Sequence, residues 1–243
     1  MNRRTAVVTG ASRGIGAQIC TKLAAEGWDL VVTARNPSSI ADFASALSAE
    51  SGRRITPVAA DMADPDAVAI ISEAAADLDT IDALILNAAM GTIGALADFP
   101  LRRLDKLFAI NLRAPYALIQ SLLPALRRAG QQSPFGARVI AMASMTGLAG
   151  EPLNSAYGAT KAAMISLCDT LSVEEYLHGV NASAVCPGYV ATDMTAALPG
   201  VDPADMITAA DVAEATVCLT RLTKKVTVPY LPLTRPGPSL WRA

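Results

Sequence analysis

Short apolar runs alternate with longer amphipathic stretches along the chain. Seven runs rich in Val, Ile, Leu and Ala predict β-strands, in the order TAVVT, DLVVTA, ITPVAA, DALILNA, RVIAMAS, NASAVCPG and VTVPYLP. Between them, apolar residues recur at helical spacing over 15–26, 38–49, 65–77, 101–128, 155–177 and 209–222. Strands that alternate with helices predict βαβ units, and hence a parallel sheet that helices cover on both faces.

The same alternation predicts the domain organisation. Right-handed crossovers between successive strands favour a doubly wound α/β (Rossmann) fold, with a mostly parallel sheet of about seven strands. A single domain is expected to span residues 1–243, because no long linker divides the chain. Within it, QQSPFGA at 131–137 is interpreted as a loop, and the proline-rich end at 233–243 as a tail.

Composition and charge exclude several classes of protein. The net charge is −2 and the Lys and Arg residues do not cluster, which disfavours a nucleic-acid partner. No apolar stretch reaches the roughly 18 uncharged residues of a membrane span, and the basic start MNRRTAVVTG is interpreted as a first strand rather than a signal peptide. The four cysteines, at 20, 168, 186 and 218, are interpreted as buried thiols in a reducing cytoplasm, and no metal site is expected.

A glycine-rich segment, TGASRGIG at 9–16, follows the first predicted strand. Gly10 permits a tight turn, while Gly14 and Gly16 let a phosphate approach the N–H groups at a helix N-terminus, where the helix dipole favours anions. Glycines between a strand and a helix predict dinucleotide binding, although the spacing differs from G-x-G-x-x-G. Because no Gly-Lys-Ser/Thr follows, a nucleoside-triphosphate P-loop is excluded.

The letters G-A-S-R-G also match the nucleophile elbow of serine esterases, with Ser12 as nucleophile and His178 as base. Only eleven residues precede Ser12, so no earlier strand could supply the oxyanion hole. His178 precedes Gly179 at the predicted end of a helix, where a basic residue has a structural explanation. The sequence therefore disfavours the esterase alternative.

The choice of dinucleotide is predicted from the second strand, DLVVTARN. Proteins that bind NAD place an acidic residue at the end of this strand, on the ribose 2′-hydroxyl. Here Asp29 lies at the start of the strand, and Ala34 and Arg35 stand at its end. Arg35, assisted by Arg13 of the glycine loop, suits the 2′-phosphate of NADP, although a solvated surface arginine is the simpler alternative.

A tyrosine and a lysine stand four residues apart in AYGATK, at 156–161, and therefore on one face of a helix. Tyr157 could donate a proton to a carbonyl oxygen that is being reduced, or accept one in the reverse direction. A lysine ammonium about 4 Å away is worth roughly 4 kcal/mol at an effective dielectric of about 20. Lys161 is thus expected to lower the Tyr157 pKa toward neutrality, although the spacing alone also fits two polar tips on an amphipathic helix.

Taken in chain order, these segments resemble the single-domain short-chain dehydrogenase/reductase family over roughly residues 5–195. The resemblance is carried by TGASRGIG, the N-A-A at 87–89, INLRAP, the serine after the fifth strand, YGATK, and PGYVATDM at 187–194. It implies a catalytic tetrad of Asn111, Ser144, Tyr157 and Lys161. Ser144 would hydrogen-bond the substrate oxygen, Lys161 would bond the nicotinamide ribose, and Asn111 would hold a water in a proton relay.

The resemblance also implies contacts to NADP. Asp61 would accept from the adenine amino group, and the Val190 N–H would donate to the carboxamide. The full expected set is Gly10, Ser12, Arg13, Gly14, Ile15, Gly16, Arg35, Asp61, Met62, Asn87, Ala88, Tyr157, Lys161, Pro187, Gly188, Val190 and Thr192. Two departures stand out: Met90 replaces a glycine of the family, and the C-terminal end lacks the usual glycine-rich finish.

The sequence therefore predicts an NADP(H)-dependent carbonyl reductase or alcohol dehydrogenase, with a noncatalytic NADP-binding sensor as the alternative. The helices at 101–128 and 155–177 are apolar on more than one face and are expected to form a homodimer or homotetramer. The side chains expected to face a small-molecule substrate are Met90, Met145, Glu151, Asn154, Tyr189 and Met194.

Overall fold

Seven parallel strands form one sheet in a computed structural model that describes residues 3–196 and 202–237. The strands are β1 (Thr5–Thr9), β2 (Asp29–Ala34), β3 (Ile55–Ala59), β4 (Ala83–Leu86), β5 (Ala137–Met142), β6 (Val180–Pro187) and β7 (Tyr230–Leu233). Their order is β3-β2-β1-β4-β5-β6-β7, and every neighbouring pair is parallel. The doubly wound α/β fold expected from the alternating pattern is confirmed.

Within the described residues, seven α-helices connect these strands. They are α1 (Gly14–Ala25), α2 (Pro37–Ser51), α3 (Ala67–Ala74), α4 (Leu101–Phe108), α5 (Ala114–Gln132), α6 (Ser155–Glu175) and α7 (Ala209–Arg221). Along β1, Val7 packs into the core that α3, α5 and α6 cover, whereas Ala6 and Val8 pack on the other face, with α1, α2 and α7. Because successive strand side chains point to opposite faces, a strand buried on both sides reads as a continuous apolar run.

The direction of the strand order changes between β1 and β4. In doubly wound sheets, a crevice opens at the carboxyl ends of the two strands that flank such a change, and ligands bind in it. The glycine loop follows β1 and the N-A-A segment follows β4, so both line this crevice.

Several element boundaries differ from the expectations; α3, for example, spans Ala67–Ala74 rather than the predicted 65–77. The helix predicted over 101–128 consists of α4, a π-helical turn at Ala109–Arg113, and α5, which continues to Gln132. Consequently, the first two residues of the QQSPFGA loop are helical and Ala137 already belongs to β5; the helix ends where Ser133 and Pro134 cannot continue it. β7 begins at Tyr230, not at Val226.

The last strand gives part of the predicted tail a regular structure. β7 includes Leu233, and the tail is described to residue 237, whereas 238–243 lie outside the described residues. Cys20, Cys168 and Cys186 are buried as expected, but Cys218 is exposed on the outer face of α7. In the part of the chain that the structure describes, no helix has the length and apolarity to cross a membrane, and no group of His, Cys, Asp or Glu residues could hold a metal ion.

Candidate active site

The glycine loop adopts a backbone conformation that other residues rarely adopt. Gly10 has φ +66° and Gly14 has φ +56°, both in the left-handed region that favours glycine. Gly16 has an ordinary φ, but a Cβ there would stand 2.2 Å from the Gly10 carbonyl oxygen. The three glycines thus fold the loop tightly against itself and leave its main chain accessible to a phosphate.

Asn87 and Thr9 join the ends of β4 and β1 beneath this loop. The Asn87 side-chain amide donates to the carbonyl oxygens of Thr9 and Gly10, at 3.0 and 2.9 Å. In return, the Thr9 hydroxyl oxygen accepts from the backbone N–H groups of Asn87 and Ala88, both at 3.0 Å. The Asn87 amide therefore supports the glycine loop, in addition to lying where the ribose contact was expected.

No side chain caps the N-terminal N–H groups of α1. Arg13 occupies the cap position without a side-chain capping bond, and the first turn contains no acidic residue. By contrast, the Asn36 side chain caps α2 by accepting from the Ser39 N–H at 3.0 Å. Free N–H groups together with the helix dipole are the features that suit a helix N-terminus to an anion.

Arg35 is exposed directly after β2, where a 2′-phosphate was expected. Arg13, expected to assist it, instead forms an ion pair with Asp193, with 2.9 Å between Nη1 and Oδ2. Both partners are largely exposed, and such pairs contribute only about 0–1 kcal/mol. Asp61 is exposed after β3, with one carboxylate oxygen accepting from the Ala63 N–H at 3.0 Å, while the neighbouring Met62 is buried.

Ser144 is oriented as a hydrogen-bond donor. Its hydroxyl oxygen accepts from the backbone N–H of Thr146 at 3.2 Å and from the Thr146 hydroxyl at 3.0 Å. Because these two bonds occupy both acceptor sites of the oxygen, the Ser144 proton is available for another acceptor. It interacts with the phenol of Tyr157, and this interaction favours the phenolate.

Tyr157 and Lys161 both project from α6 at the carboxyl edge of the sheet, but their pKa values differ from the expectation. Burial raises the pKa of Tyr157 to about 12, with the Ser144 hydrogen bond acting in the opposite direction. The Lys161 ammonium donates to the Met142 carbonyl oxygen at 2.6 Å, and lies 5.4 Å from the centroid of the Tyr157 ring. The expected lowering of the Tyr157 pKa by Lys161 is therefore wrong for this structure, because burial dominates and the ammonium bonds a main-chain oxygen.

Lys161 itself is strongly desolvated. Only 3% of its surface is exposed, and burial lowers its pKa to about 8. A lysine whose pKa lies near neutrality can both hold and release a proton at physiological pH.

Asn111 lies in the π-helical turn and connects three parts of the site. Its side-chain oxygen accepts from the Met90 N–H at 2.8 Å, and its amide donates to the Met90 carbonyl at 2.9 Å and to the Thr160 hydroxyl at 3.1 Å. The Thr160 hydroxyl in turn donates to the Tyr157 carbonyl oxygen at 2.7 Å. The Asn111 side chain thus positions the segment after β4 against the tyrosine on α6.

Position 90 tolerates methionine for a backbone reason. In the described ranges, Leu153 is the one non-glycine residue whose φ is positive. The φ angle of Met90 is therefore negative, and its backbone conformation does not require glycine. The Met90 side chain packs against the core on the α3, α5 and α6 face, while both of its main-chain polar groups bond Asn111.

The segment after β6 forms the opposite side of the crevice. Pro187 ends β6, and the Gly188 N–H donates to the Leu233 carbonyl at 2.8 Å. Val190 pairs with Ile207 through the Ala191 N–H and the Tyr189 carbonyl, which leaves the Val190 N–H directed to the other side, as expected for a cofactor contact. The Thr192 methyl group approaches the glycine loop, 3.4 Å from the position of a Cβ on Gly14.

Three contacts connect the loops that carry the side chains expected to face a substrate. The Tyr189 hydroxyl donates to Glu151 at 2.6 Å, and the Gly94 N–H donates to the Leu153 carbonyl at 2.8 Å. Met194 reaches across to Gly91, where a Cβ would lie 2.9 Å from its sulfur. Of the other residues expected to face substrate, Asn154 also bonds Glu151, whereas Met145 is buried in the core.

The esterase alternative fails on position. Ser12 follows β1 at the carboxyl edge of the sheet, whereas His178 precedes β6 at the amino edge. The His178 carbonyl lies against Gly130 near the end of α5, and Gly179 has φ +70°, which explains the residue pair as the end of a helix.

Sequence reasoning missed three hydroxyl groups that organise the site, those of Thr9, Thr146 and Thr160. Thr9 and Thr160 are buried; the Thr9 hydroxyl bonds three partners and the Thr160 hydroxyl two. Thr160 could have been found, because it lies three residues after Tyr157 in an otherwise apolar helical stretch, and a buried hydroxyl there requires a partner.

Comparison with known proteins places these features in a family. The family model described as short chain dehydrogenase matches residues 4–200. The ketoacyl reductase HetN of Nostoc sp. is 35% identical over 194 residues, which span 79% of this chain and 66% of that protein. The D-beta-hydroxybutyrate dehydrogenase of Rhizobium meliloti is 31% identical over 79% of this chain and 73% of that protein.

A solved structure with the same fold covers nearly the whole chain. The alcohol dehydrogenase of the archaeon Thermococcus sibiricus, in complex with 5-hydroxy-NADP, superposes with a TM-score of 0.87. The two sequences are 26% identical, and the match covers 97% of this chain and 100% of that one.

Proposed function

We propose that this chain, which belongs to the short-chain dehydrogenase family of oxidoreductases, transfers hydride between NADP(H) and a carbonyl or secondary alcohol substrate. One observation carries the proposal. The Tyr157 phenol, with Ser144 beside it and Lys161 one turn further along α6, lies at the same sheet edge as an uncapped helix N-terminus behind a glycine loop. A proton donor and an anion site in one crevice suit a dinucleotide-dependent reduction.

The residues present fit NADP. A Cβ would fill the cradle at Gly10 and Gly16, and the start of α1 offers N–H groups to the pyrophosphate. Arg35 would bind the 2′-phosphate, and Asp61 with Met62 would hold the adenine. Asn87 and Ala88 would line the adenosine ribose, and Ser12 and Ile15 of the glycine loop would also contact the cofactor. Lys161 would bond the nicotinamide ribose beside Tyr157, and Pro187, Gly188, Val190 and Thr192 would frame the ring. The Thermococcus relative, solved with an NADP derivative, supports this choice.

The reduced nicotinamide supplies the hydride that the substrate carbon receives. Tyr157 gives its phenolic proton to the substrate oxygen, so a neutral alcohol leaves and no charge accumulates on that oxygen. Burial raises the pKa of the Tyr157 phenol to about 12, so the phenol is protonated in the physiological range, as a proton donor in carbonyl reduction must be. With substrate bound, Ser144 would shift its hydrogen bond from the Tyr157 phenol to the same substrate oxygen, since Thr146 already occupies its acceptor sites.

Lys161 then restores the proton of Tyr157. Its pKa of about 8 lets it donate to a phenolate and recover a proton from solvent near neutral pH. Asn111 and Thr160 keep Tyr157 in register with the segment after β4. In the family mechanism, Asn111 also holds the water that links Lys161 to solvent; we assign that role to its main-chain carbonyl, because its side-chain amide is fully bonded.

The test follows the hydride directly. The protein is incubated with NADPH that carries deuterium at the nicotinamide C4, and with ketones, quinones and acyl thioesters as acceptors. We expect deuterium on the carbinol carbon of a product, detected by mass spectrometry. A noncatalytic sensor would bind NADPH and transfer no deuterium to any acceptor, and that result would overturn the proposal.

We also propose that the chain assembles as a homodimer or homotetramer through α4, α5 and α6. Most apolar side chains of these helices pack inside the chain, but Leu101, Tyr116 and Val173 are 73%, 48% and 73% exposed. Light scattering at micromolar concentration should show at least a dimer. A monodisperse monomer would contradict the assembly without affecting the proposed reaction.

A further inference from the structure

The substrate side of the crevice contains a carboxylate in a defined position. Glu151 is half-buried, and each of its oxygens accepts one hydrogen bond. The Tyr189 hydroxyl donates to Oε1 at 2.6 Å, and the Asn154 amide donates to Oε2 at 2.9 Å. Both donors are neutral, so these bonds orient the carboxylate without neutralising its charge.

The two partners of Glu151 place it close to the reacting groups. Asn154 precedes the first turn of α6, with its carbonyl accepting from the Gly158 N–H at 2.7 Å, and it lies three residues before Tyr157. Residues three apart lie on one face of a helix, so Asn154 is on the side of the proton donor. Tyr189 stands between Gly188 and Val190, the residues proposed to frame the nicotinamide. Glu151 is therefore bonded to the residue that precedes the helix of the proton donor and to a residue of the segment proposed to frame the nicotinamide.

Arg235 is a cation described next to this cluster. The guanidinium carbon of Arg235 lies 5.6 Å from the centroid of the Tyr189 ring, and its charge lowers the pKa of that phenol, although burial raises the pKa overall. Arg235 thus stacks on the tyrosine, while the bonds of Glu151 go to Tyr189 and Asn154. A carboxylate on a bound substrate would approach a like charge at the position where the substrate must lie.

We propose that Glu151 determines substrate specificity by selecting uncharged carbonyl compounds against those that carry a carboxylate. The inference rests on the proposed function and names the substrate class of the same site. Like charges about 5 Å apart repel appreciably even at the effective dielectric of about 20 near a protein surface, so a discrimination of about tenfold or more is expected. An uncharged substrate avoids this repulsion, and its hydroxyl or amide groups can donate to the remaining lone pairs of the carboxylate.

Acetoacetate and methyl acetoacetate test this with one carbon skeleton, since only the first is an anion at neutral pH. We expect the native protein to reduce methyl acetoacetate with at least about tenfold higher kcat/KM. Glu151→Gln, which keeps the size and hydrogen-bonding capacity, should bring the ratio toward one, mainly by improving acetoacetate. Glu174→Gln removes the same charge from an exposed position at the far end of α6, and should leave the ratio unchanged.

Ligand-observed NMR on the same three proteins with NADPH measures binding of both compounds without turnover. If binding discriminates by charge through Glu151 while no deuterium is transferred, the proposed function fails and the inference stands. If the native protein binds or reduces acetoacetate as well as its ester, or Glu151→Gln leaves the ratio unchanged, the inference is wrong and the proposed function stands. Binding of neither compound also overturns the inference.

Discussion

The two sides of the crevice are built from different kinds of contact. On the cofactor wall, which comprises residues 9–16 and 87–90, the contacts involve main-chain atoms and glycines: Gly16 leaves no space for a Cβ, and Asn87 bonds two carbonyls. On the substrate wall, residues 148–154 and 188–195, side chains hold one another, as Tyr189 holds Glu151. The difference separates two tasks, because a phosphate is bound by backbone N–H groups while a substrate is distinguished by side chains.

Backbone conformation also differs between the walls. The cofactor wall uses glycine wherever φ is positive, whereas the substrate wall places Leu153 at φ +66° and leaves it 52% exposed. A left-handed conformation costs a leucine roughly 1–2 kcal/mol. The substrate wall therefore retains backbone strain at a position where the cofactor wall has none, and strain of this kind is frequent at ligand sites.

The largest effect is expected where the two walls meet, at Tyr157. Tyr157→Phe keeps the ring but removes the proton donor, so turnover should fall by about 10²- to 10⁴-fold. NADPH affinity should change little, because the cofactor wall is intact. Steady-state kinetics and NADPH fluorescence measure the two quantities.

Tyr176→Phe is the matched control for this prediction. Tyr176 follows the same helix, is 65% exposed, and should lose no activity. Near-native reduction by Tyr157→Phe would show that the tyrosine is only a polar group on a helix.

Charge on the cofactor wall comes next. A charge-assisted hydrogen bond contributes roughly 1.5–3 kcal/mol, so Arg35→Asp should weaken NADPH binding by about 10- to 150-fold and improve the relative affinity for NADH. Calorimetric titration with both cofactors measures the change. Lys225→Asp reverses an exposed charge elsewhere and should have no effect. Equal affinity of the native protein for both cofactors would contradict the role of Arg35.

A glycine from each wall gives a direct comparison. Gly16→Ala forces a Cβ to within 2.2 Å of the Gly10 carbonyl, so the loop must shift, at a cost of about 1–3 kcal/mol in the free energy of unfolding. Gly150→Ala adds the same methyl group where nothing lies within 4 Å, and should be nearly neutral. Urea denaturation of both variants measures the difference. Equal effects would mean that the two walls do not differ in packing as described.

The smallest expected effect is on the pH dependence of stability and concerns Lys161, which is buried. Its pKa is about 8 in the folded protein and about 10.5 when exposed, so the folded state disfavours the charged form. The unfolded chain binds the additional proton between these values, and stability from this group therefore rises as the pH increases from about 8 to 10.5.

Lys161→Met removes this dependence. The variant should be the more stable form near pH 6.5, and its advantage should shrink by about 1–2 kcal/mol at pH 9.5. Because the Cys186 thiol interacts electrostatically with Lys161, the comparison is made with Cys186→Ala in both proteins. An advantage that stays constant with pH would show that burial does not lower the Lys161 pKa.

The sequence predicted the cofactor wall better than the substrate wall, and the reason is physical. Positive φ and close main-chain approach require glycine, so the loop formed by Gly10, Gly14 and Gly16 can be recognised from the sequence alone. A contact such as Tyr189–Glu151 joins residues 38 positions apart through side chains that have many rotamers, and no local spacing encodes it.

Electrostatics were the least predictable part of the site. The four-residue spacing of Tyr157 and Lys161 gave the correct helical face, but not the partner of the ammonium. That partner is the main-chain oxygen of Met142, which the spacing could not indicate. Likewise, the apolar periodicity predicted one continuous helix through 109–113, although Pro115 cannot donate to the Asn111 carbonyl one turn earlier and so interrupts the regular hydrogen bonds there.

The π-helical turn at Ala109–Arg113 determines how α4 is rotated about its axis relative to α5. A π-helical turn contains one residue more than the α-helical repeat, and each residue advances an α-helix by about 100°. Deleting one residue within 109–113 would restore a regular helix and rotate α4 by about that angle, carrying Leu107, now fully buried, toward another side. In this turn the number of residues matters more than their identity. A substitution would leave the direction of α4 unchanged, whereas a single deletion would rotate the whole helix and break the hydrogen bonds between Asn111 and Met90.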